Sequence, residues 1–229
     1  MALYSNRHWR IVLIAGFTLT VLTFVFGLRY QKVTFQTDGI IYADTARQIA
    51  TKHGISTRIV QIDTASPIIP QTNWPPLYPG FAAGLLLLGF PLQVAMKLVP
   101  LLTFAVGWGF VGGYLLRRFG WLAAGIFSGL TLVNTVILNV AAQPMSEGVF
   151  MGLAAITLVL TDRVVRVPSR WAALGLGIIT GAAADTRVLG LGLFPSVIAG
   201  LCVYRRWRAA LWASLGFAGA AIPLYARNY

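Results

Sequence analysis

The stretch QTDGIIYADTARQIATKHGISTRIVQIDTASPIIPQTNWPPLYPG, which runs from Gln36 to Gly80, is a long polar interval near the front of an otherwise apolar chain. Apolar residues recur at helical spacing between Asp38 and His53, and Gly54 follows, which predicts a short amphipathic helix with Thr37 or Asp38 as its N-cap. We expect the rest of the chain to hold this stretch at one face of a membrane. The stretch contains three of the six acidic residues of the protein: Asp38, Asp44 and Asp63.

The composition is typical of a membrane protein. Of the 229 residues, 57% are hydrophobic and 10% are charged, with a mean hydropathy of +0.74, which is too apolar for a soluble domain. In a soluble protein the net charge of +12 would suggest a nucleic-acid partner, but the distribution of the charges gives a topological explanation, so we expect no nucleic acid to bind. The single cysteine, Cys202, excludes a disulfide framework and a thiolate metal site within the chain.

Seven apolar runs are candidates for membrane-spanning helices, although several are shorter than the ~20 residues of an ideal span. The first has about 18 residues and no cleavage pattern after it, so we interpret it as an uncleaved span and not as a signal peptide. Small residues in GWGFVGG, GLGIITGAAA and GFAGAA indicate close helix packing. The sequence therefore predicts an all-α integral membrane protein, with residues 1–229 as one transmembrane module and residues 29–91 as an outer loop with juxtamembrane helices. The runs are Ile11–Leu28, Leu92–Leu116, Trp121–Val140, Met145–Leu160, Trp171–Ala184 with an extension to Arg187, Val188–Val203 and Ala209–Tyr225.

Basic residues form four clusters beside these runs. With seven spans all four clusters fall on one side, which the positive-inside rule makes cytoplasmic. Only one acidic residue, Asp162, lies among them, and the other five fall on or near the opposite side. We therefore expect a multi-pass protein of the cell membrane with a cytoplasmic N-terminus and an active outer face. The clusters hold ten of the 18 basic residues: Arg7, Arg10, Arg117, Arg118, Arg163, Arg166, Arg170, Arg205, Arg206 and Arg208.

The segment Leu77–Gly89 is apolar, but its length of about 13 residues is too short to span comfortably. If it crossed the membrane, the later arginine clusters would face outward. We therefore expect a helix that lies in the outer interface or dips into it and that begins after Pro75 and Pro76.

Two carboxylates are candidates for chemistry, and each also has a purely structural interpretation. Asp38 and Tyr42 are four residues apart and share a helix face, but Asp38 also suits an N-cap. Glu147 opens the fourth run, where a carboxylate at a membrane edge is costly enough to suggest function, but it also suits the positive end of a helix dipole.

Three further charged residues lie at the outer ends of runs. Asp185 and Arg187 end the fifth run and Lys97 lies near the outer end of the second. The structural interpretations are a local Asp185–Arg187 pair and basic side chains that snorkel to the interface. The histidines, His8 and His53, are isolated in the sequence and suggest no catalytic triad, and the sequence contains no P-loop.

These residues recur in a definite order between the apolar runs. In chain order the motifs are D-x-x-x-Y-x-x-x-A (Asp38, Tyr42, Ala46), PPLYP (Pro75–Pro79), Lys97, Glu147, T-R with following glycines (Thr186, Arg187, Gly190, Gly192) and P-x-x-x-R-N (Pro223, Arg227, Asn228). The set covers nearly the whole chain and resembles the GT-C glycosyltransferase superfamily, in the branch of the protein O-mannosyltransferases and the lipid A aminoarabinose transferase.

The resemblance implies transfer of a hexosyl or pentosyl group from a polyprenyl-phosphate donor to a hydroxyl of a lipid, glycan or protein at the outer face of the membrane. It implies that Asp38 is the catalytic base or orients the acceptor, and that Glu147 supports the site. Lys97 and Arg187 would face the carrier phosphate. Tyr42 and Asp185 complete the candidate substrate-binding set. Membrane lipid and the lipid-linked donor are the implied partners, and a divalent metal ion is left open as a cofactor.

The sequence differs from the family at two places. Gly39 follows Asp38 where the protein mannosyltransferases have an Asp-Glu pair, and family members continue past the final Arg-Asn into further spans. We therefore expect this chain to be the N-terminal module of a longer protein, or a minimal form whose missing part is supplied by a partner.

Two other classes of function stay open at the level of the sequence. One is a membrane transporter or lipid flippase, although such proteins tend to place charges at mid-membrane and to show repeated halves, and neither is evident here. The other is a non-catalytic membrane subunit.

Overall fold

The computed structural model describes residues 37–58 and 67–226, and 80% of the described residues are helical. The helices are α1 (Thr37–Ala50), α2 (Leu77–Leu87), α3 (Leu92–Phe119), α4 (Trp121–Val133), α5 (Thr135–Ala142), α6 (Ser146–Arg166), α7 (Arg170–Ala184), α8 (Leu193–Val203) and α9 (Trp207–Ala226), with a 3₁₀ helix at Val188–Gly192. Two short strands, β1 (Ser56–Thr57) and β2 (Ile69–Pro70), pair antiparallel.

In the described part of the chain, α3 and α6 are long and apolar enough to cross a membrane, and the number of candidates rises to three if α4 and α5 form one span. Three further apolar segments in the described part of the chain are helical but only 10–17 residues long: α2, α7, and the 3₁₀ helix together with α8. The protein is thus mostly helical with two or three candidate membrane-spanning helices, which is compatible with an all-α membrane protein. The predicted first span, Ile11–Leu28, lies outside the described residues, as do Asp63 and His8.

Glycines bring α3 and α6 into close contact. A side chain at Gly152 would overlap the backbone of Thr103, and a side chain at Gly107 would overlap the backbone of Gly152. One turn earlier in both helices, a side chain at Gly148 would press on Pro100. Because the contacts advance along both helices together, α3 and α6 run in the same direction and α4 and α5 form the return connection.

Glycines also bring α7 and α9 together. A side chain at Gly177 would overlap the carbonyl group of Ala213, and a side chain at Gly216 would overlap that of Leu174. Gly181 faces Ala220 in the next turn. The prediction that small residues in these runs mark close helix contacts is therefore confirmed at these positions, where only the absence of a side chain lets the backbones meet.

The predicted run Trp121–Val140 is not one straight helix, because α4 and α5 meet at an angle of 72°. Asn134 stands at the break. Its backbone N–H donates to the carbonyl of Leu130, which ends α4, and its Oδ1 accepts from the N–H of Ile137, which caps α5. One asparagine therefore ends one helix and begins the next.

The amphipathic helix predicted in the polar stretch is confirmed as α1, and its apolar face is buried within the protein. Tyr42, Ala43 and Ala46 belong to one core cluster with residues of α2, α3 and α6. The helix already includes Thr37 and Asp38, so the prediction that one of them is the N-cap is wrong. It ends at Ala50, earlier than predicted.

The turn after α1 explains the early end of that helix. Lys52 has a φ of 66°, so the chain leaves the helix two residues before Gly54, which has a φ of 72°. Asp44 then fastens the following strand to the helix. Its Oδ2 accepts hydrogen bonds from Thr57 Oγ1 at 2.9 Å and from the N–H of Arg58 at 2.7 Å.

Contacts sort the charged residues to two ends of the helix bundle. Arg206 donates to the carbonyl of Val165 at 2.8 Å, which joins the start of α9 to the end of α6. Arg166 pairs with Asp162 at 2.7 Å and lies near Tyr114 of α3. We call this end, with the described arginine clusters, the arginine end. We call the opposite end, which carries Asp38, Glu147 and Asp185, the acidic end.

Candidate functional site at the acidic end

Tyr42 links the polar stretch to the start of α6. Its hydroxyl donates a hydrogen bond to Ser146 Oγ over 3.3 Å, and both side chains are buried. The two residues are more than a hundred positions apart in the sequence. This bond places α1 against the helix that begins with Ser146 and Glu147.

Glu147 and Arg187 form an ion pair at the same place. Nη1 of Arg187 contacts Oε1 of Glu147, and the two side chains are 29% and 31% exposed for the glutamate and the arginine, respectively. The alternative of a local Asp185–Arg187 pair is therefore wrong, since the arginine turns instead to a residue of α6. Oε2 of Glu147 is buried and has no hydrogen-bond partner among the described residues.

A compact turn after α7 holds Arg187 in this position. Thr186 Oγ1 donates to the carbonyl of Ala183 at 2.7 Å, and the N–H of Gly190 donates to the carbonyl of Arg187 at 2.8 Å. A side chain at Gly190 would overlap Ala183, so glycine is needed for the turn to pack on the end of α7. The glycine that follows the T-R motif thus has a steric role.

Tyr78 of the PPLYP motif joins α2 to α3. It is fully buried, and its hydroxyl donates to the carbonyl of Met96 at 2.7 Å. Its ring meets the ring of Tyr42 edge to face, with centroids 5.1 Å apart. The two tyrosines therefore connect α1, α2, α3 and α6 at one point.

The hydroxyl of Tyr42 lies among charged groups. Burial is the main cause that raises the pKa of Tyr42 above 10.0; the hydrogen bond to Ser146 and the charge of Arg187 lower it, whereas the charges of Asp38 and Glu147 raise it. Tyr42 is therefore a neutral hydroxyl at physiological pH and acts as a hydrogen-bond group, not as a base. Asp38 lies one turn before Tyr42 on α1, and the Glu147–Arg187 pair lies next to Ser146, so these three charges lie near the Tyr42 hydroxyl.

Asp38 differs from Glu147 in exposure and engagement. It lies in the first turn of α1 and is exposed to solvent. One oxygen of Glu147 is held by Arg187 and the other is buried. Within residues 37–58 and 67–226 Asp38 forms no ion pair, so of the two carboxylates near Tyr42 it is the one that an incoming molecule reaches without first breaking such a pair.

Asp185 is the first residue after α7, so the predicted extension of that run as a helix to Arg187 is wrong. The side chain is 3% exposed, and Oδ1 has no hydrogen-bond partner among the described residues. Its backbone carbonyl accepts a hydrogen bond of 3.1 Å from the N–H of Leu77, the first residue of α2. Burial raises the pKa of Asp185 from 3.8 to about 7.

Lys97 is buried in α3, directly after the Met96 carbonyl that binds Tyr78. Since the residue is only 3% exposed, its ammonium group does not reach solvent, and the snorkelling interpretation is wrong. Lys97 thus belongs to the acidic end, whereas its convergence with Arg187 stays a prediction.

The structure places three of the six predicted site residues, Asp38, Glu147 and Arg187, near the hydroxyl of a fourth, Tyr42, with Asp185 and Lys97 at the same end of the bundle. Sequence reasoning assigned no role to Ser146 or to Tyr78. Tyr78 lies within PPLYP, so that motif was the available signal, but a neutral serine such as Ser146 carries none. The contact between Leu77 and Asp185 involves backbone atoms and leaves no trace in the residue types.

The arrangement offers a solvent-exposed carboxylate that can accept a proton and a cation that can neutralise an anion. Among residues 37–58 and 67–226, no three His, Cys, Asp or Glu side chains gather so as to hold a metal ion. Comparisons of the chain with protein-family models, with curated proteins and with solved structures find no match.

Proposed function

We propose that this chain forms the membrane module of a glycosyltransferase that moves a sugar from a polyprenyl-phosphate donor to an acceptor hydroxyl. The observation that carries the proposal is the Glu147–Arg187 ion pair next to Ser146, the hydrogen-bond partner of Tyr42, with Asp38 one turn before Tyr42, although about 150 residues separate Asp38 from Arg187.

The proposed topology has seven spans with the N-terminus in the cytoplasm and the acidic end outside. Ile11–Leu28 is the first span; α3, the α4–α5 pair, α6, α7, the segment 188–203 and α9 are the others. The separation of the arginine end from the acidic end supports this order, because the positive-inside rule requires the arginines to share the cytoplasmic face. The cell membrane is the proposed location.

In the proposed reaction an acceptor hydroxyl attacks the anomeric carbon of the donor sugar and the polyprenyl phosphate leaves. The transition state is oxocarbenium-like, as in glycoside hydrolysis. Asp38 takes the proton of the attacking hydroxyl as the new bond forms. Its exposure supports this assignment over Glu147, whose ion pair with Arg187 would have to open first. A single displacement would invert the anomeric configuration.

The phosphate that leaves gains negative charge, which Arg187 and Lys97 are proposed to stabilise in a site partly shielded from water. Tyr42 is proposed to orient the sugar or the acceptor through its neutral hydroxyl. Asp185 joins the set through its place two residues before Arg187. A polyprenyl tail in the bilayer explains why such a site would lie at a membrane edge.

The test is sugar transfer from a polyprenyl-phosphate donor by purified, folded protein that includes any native continuation of the chain. Asp38→Asn preserves shape and removes the basic carboxylate, so turnover is expected to fall roughly 10²-fold or more. The matched control is Asp44→Asn in the same helix. Asp44 serves the loop through Thr57 and Arg58, so its variant should keep turnover within a few-fold.

The assignment of the base has a clear opposite outcome. If Asp38→Asn retains near-normal turnover while Glu147→Gln abolishes it, Asp38 is a structural residue and Glu147 is the base. If the wild-type protein transfers no sugar with any lipid-phosphate donor, the glycosyltransferase proposal itself fails.

A further inference from the structure

The contact between α2 and the end of α7 contains a carboxyl group to which the proposed reaction assigns no bond-making or proton-transfer step. Asp185 supplies the backbone carbonyl that accepts the first N–H of α2, from Leu77, at 3.1 Å. The side chain of the same residue is 3% exposed, and its Oδ1 is buried without a hydrogen-bond partner among the described residues. A carboxyl group in such surroundings is tolerated far better neutral than ionised.

The charged groups near this contact do not compensate an ionised Asp185. The nearest cation in sequence, Arg187, is paired with Glu147 of α6. At the acidic end, the titratable and charged groups of the elements packed around the contact include Tyr78 of α2, Lys97 of α3, Asp38 and Tyr42 of α1, Glu147 of α6, and Arg187 in the turn after α7. Burial is nevertheless the cause that moves the pKa of Asp185, to about 7, and no neighbouring charge offsets it.

We propose that Asp185 is a pH-sensitive latch, which keeps α2 closed against the end of α7 while its carboxyl group is protonated and weakens that contact when the group ionises. An ionised carboxylate needs water or a donor. In the proposed latch α2 moves away to provide either, since the first N–H of α2 is held by the carbonyl of this same residue. The movement would also disturb the hydrogen bond that the hydroxyl of Tyr78, a residue of α2, donates to the carbonyl of Met96.

The sign of the pH dependence follows from proton binding. In the closed state the carboxyl group holds its proton up to about pH 7, whereas in the opened state it ionises near its ordinary pKa of 3.8. The closed state therefore binds more protons between these two values, so opening becomes easier as the pH rises through that window and levels off above it. The latch does not rest on the proposed sugar transfer, because it is measured on the folded protein without substrate.

Hydrogen exchange of the α2 backbone amides tests the latch on the whole protein in detergent or nanodiscs. After correction for the intrinsic pH dependence of exchange, protection of the peptide 77–87 is expected to fall at least about tenfold between about pH 5 and about pH 8. Asp185→Asn keeps the shape of the side chain and cannot ionise, so its protection should be independent of pH. Asp162→Asn, at the arginine end, should behave as the wild type does.

Two outcomes would contradict the proposal that Asp185 is a latch. One is constant protection of α2 in the wild-type protein across this pH range, and the other is the same pH-dependent loss in Asp185→Asn. If Asp185→Asn does not fold, the wild-type protein still tests the proposal, because the protection of α2 can be compared with the protection of α6 in the same molecule. An equal loss of protection in the interior of α6 would mean general loosening and not release of α2, and would also reject the proposal.

Discussion

At the scale of single residues, Arg187 is central because it forms an ion pair between two parts of the fold and is also proposed to bind the carrier phosphate. In the structure its partner is Glu147, and a lipid phosphate would present charge-assisted acceptors of the same kind at the same place. Replacing Lys97 and Arg187 together by glutamine is therefore expected to weaken binding of a short-chain polyprenyl phosphate at least about tenfold. The affinity is measured on purified protein whose unfolding midpoint has been checked.

The control for this binding experiment is Arg166→Gln, which removes an exposed arginine at the opposite end of the bundle. Its affinity should match that of the wild type, because the change in net charge alone does not create or remove a phosphate site. An unchanged affinity in the Lys97 and Arg187 double variant would show that these residues do not bind the carrier.

Sequence reasoning reached the charged members of the site but not their partners. Asp38, Glu147 and Arg187 stand out because ionisable groups are rare in an apolar chain and costly at a membrane edge. Ser146 and the backbone carbonyl of Asp185 could not be found in that way. Their roles depend on which helices meet, and a hydroxyl or a peptide group carries no signal of that in one sequence.

At the scale of secondary structure elements, glycines set the distance between helices. Gly177 faces the backbone of Ala213, so Gly177→Ala should force α7 and α9 apart and cost about 1–3 kcal/mol of stability. Gly175→Ala is the matched control in the same helix, because a side chain there meets open space. Thermal unfolding in detergent should show a lower midpoint for Gly177→Ala and an unchanged or slightly higher one for Gly175→Ala.

The opposite ranking of the two glycine variants would mean that α7 and α9 do not approach as closely as the structure places them. An equal midpoint for both would lead to the same conclusion. The test is independent of any enzymatic activity, since it reads only the packing of two helices.

The positions of the helices were largely predictable from apolar runs, whereas their interruptions were not. The starts of α3, α4 and α6 lie within one residue of the predicted runs. The bend at Asn134 was missed because it is produced by one side chain that caps a helix inside an otherwise apolar run, without proline or glycine. The early end of α1 at Ala50 depends on the positive φ of Lys52, which cannot be predicted from the residue type.

At the scale of the whole molecule, the pattern of charge is the property on which the account depends. The described arginine clusters gather at one end of the bundle, and Asp38, Glu147 and Asp185 gather at the other. The side of the membrane on which each charge cluster lies can be predicted from a sequence, because the prediction needs only the number of membrane crossings between the clusters. Among the described residues, two or three helices are long and apolar enough to cross a membrane, and the seven-span order is our proposal.

The central claim is that the candidate site and the arginine clusters lie on opposite faces of a membrane, and site-directed labelling tests it most directly. Single cysteines at Asn73 and Ser169, both exposed and at opposite ends of the bundle, are introduced in a Cys202→Ser background. With an impermeant thiol reagent on intact cells, Asn73→Cys should label at once and Ser169→Cys only after the membrane is opened. Labelling of both positions from the same side would contradict the account.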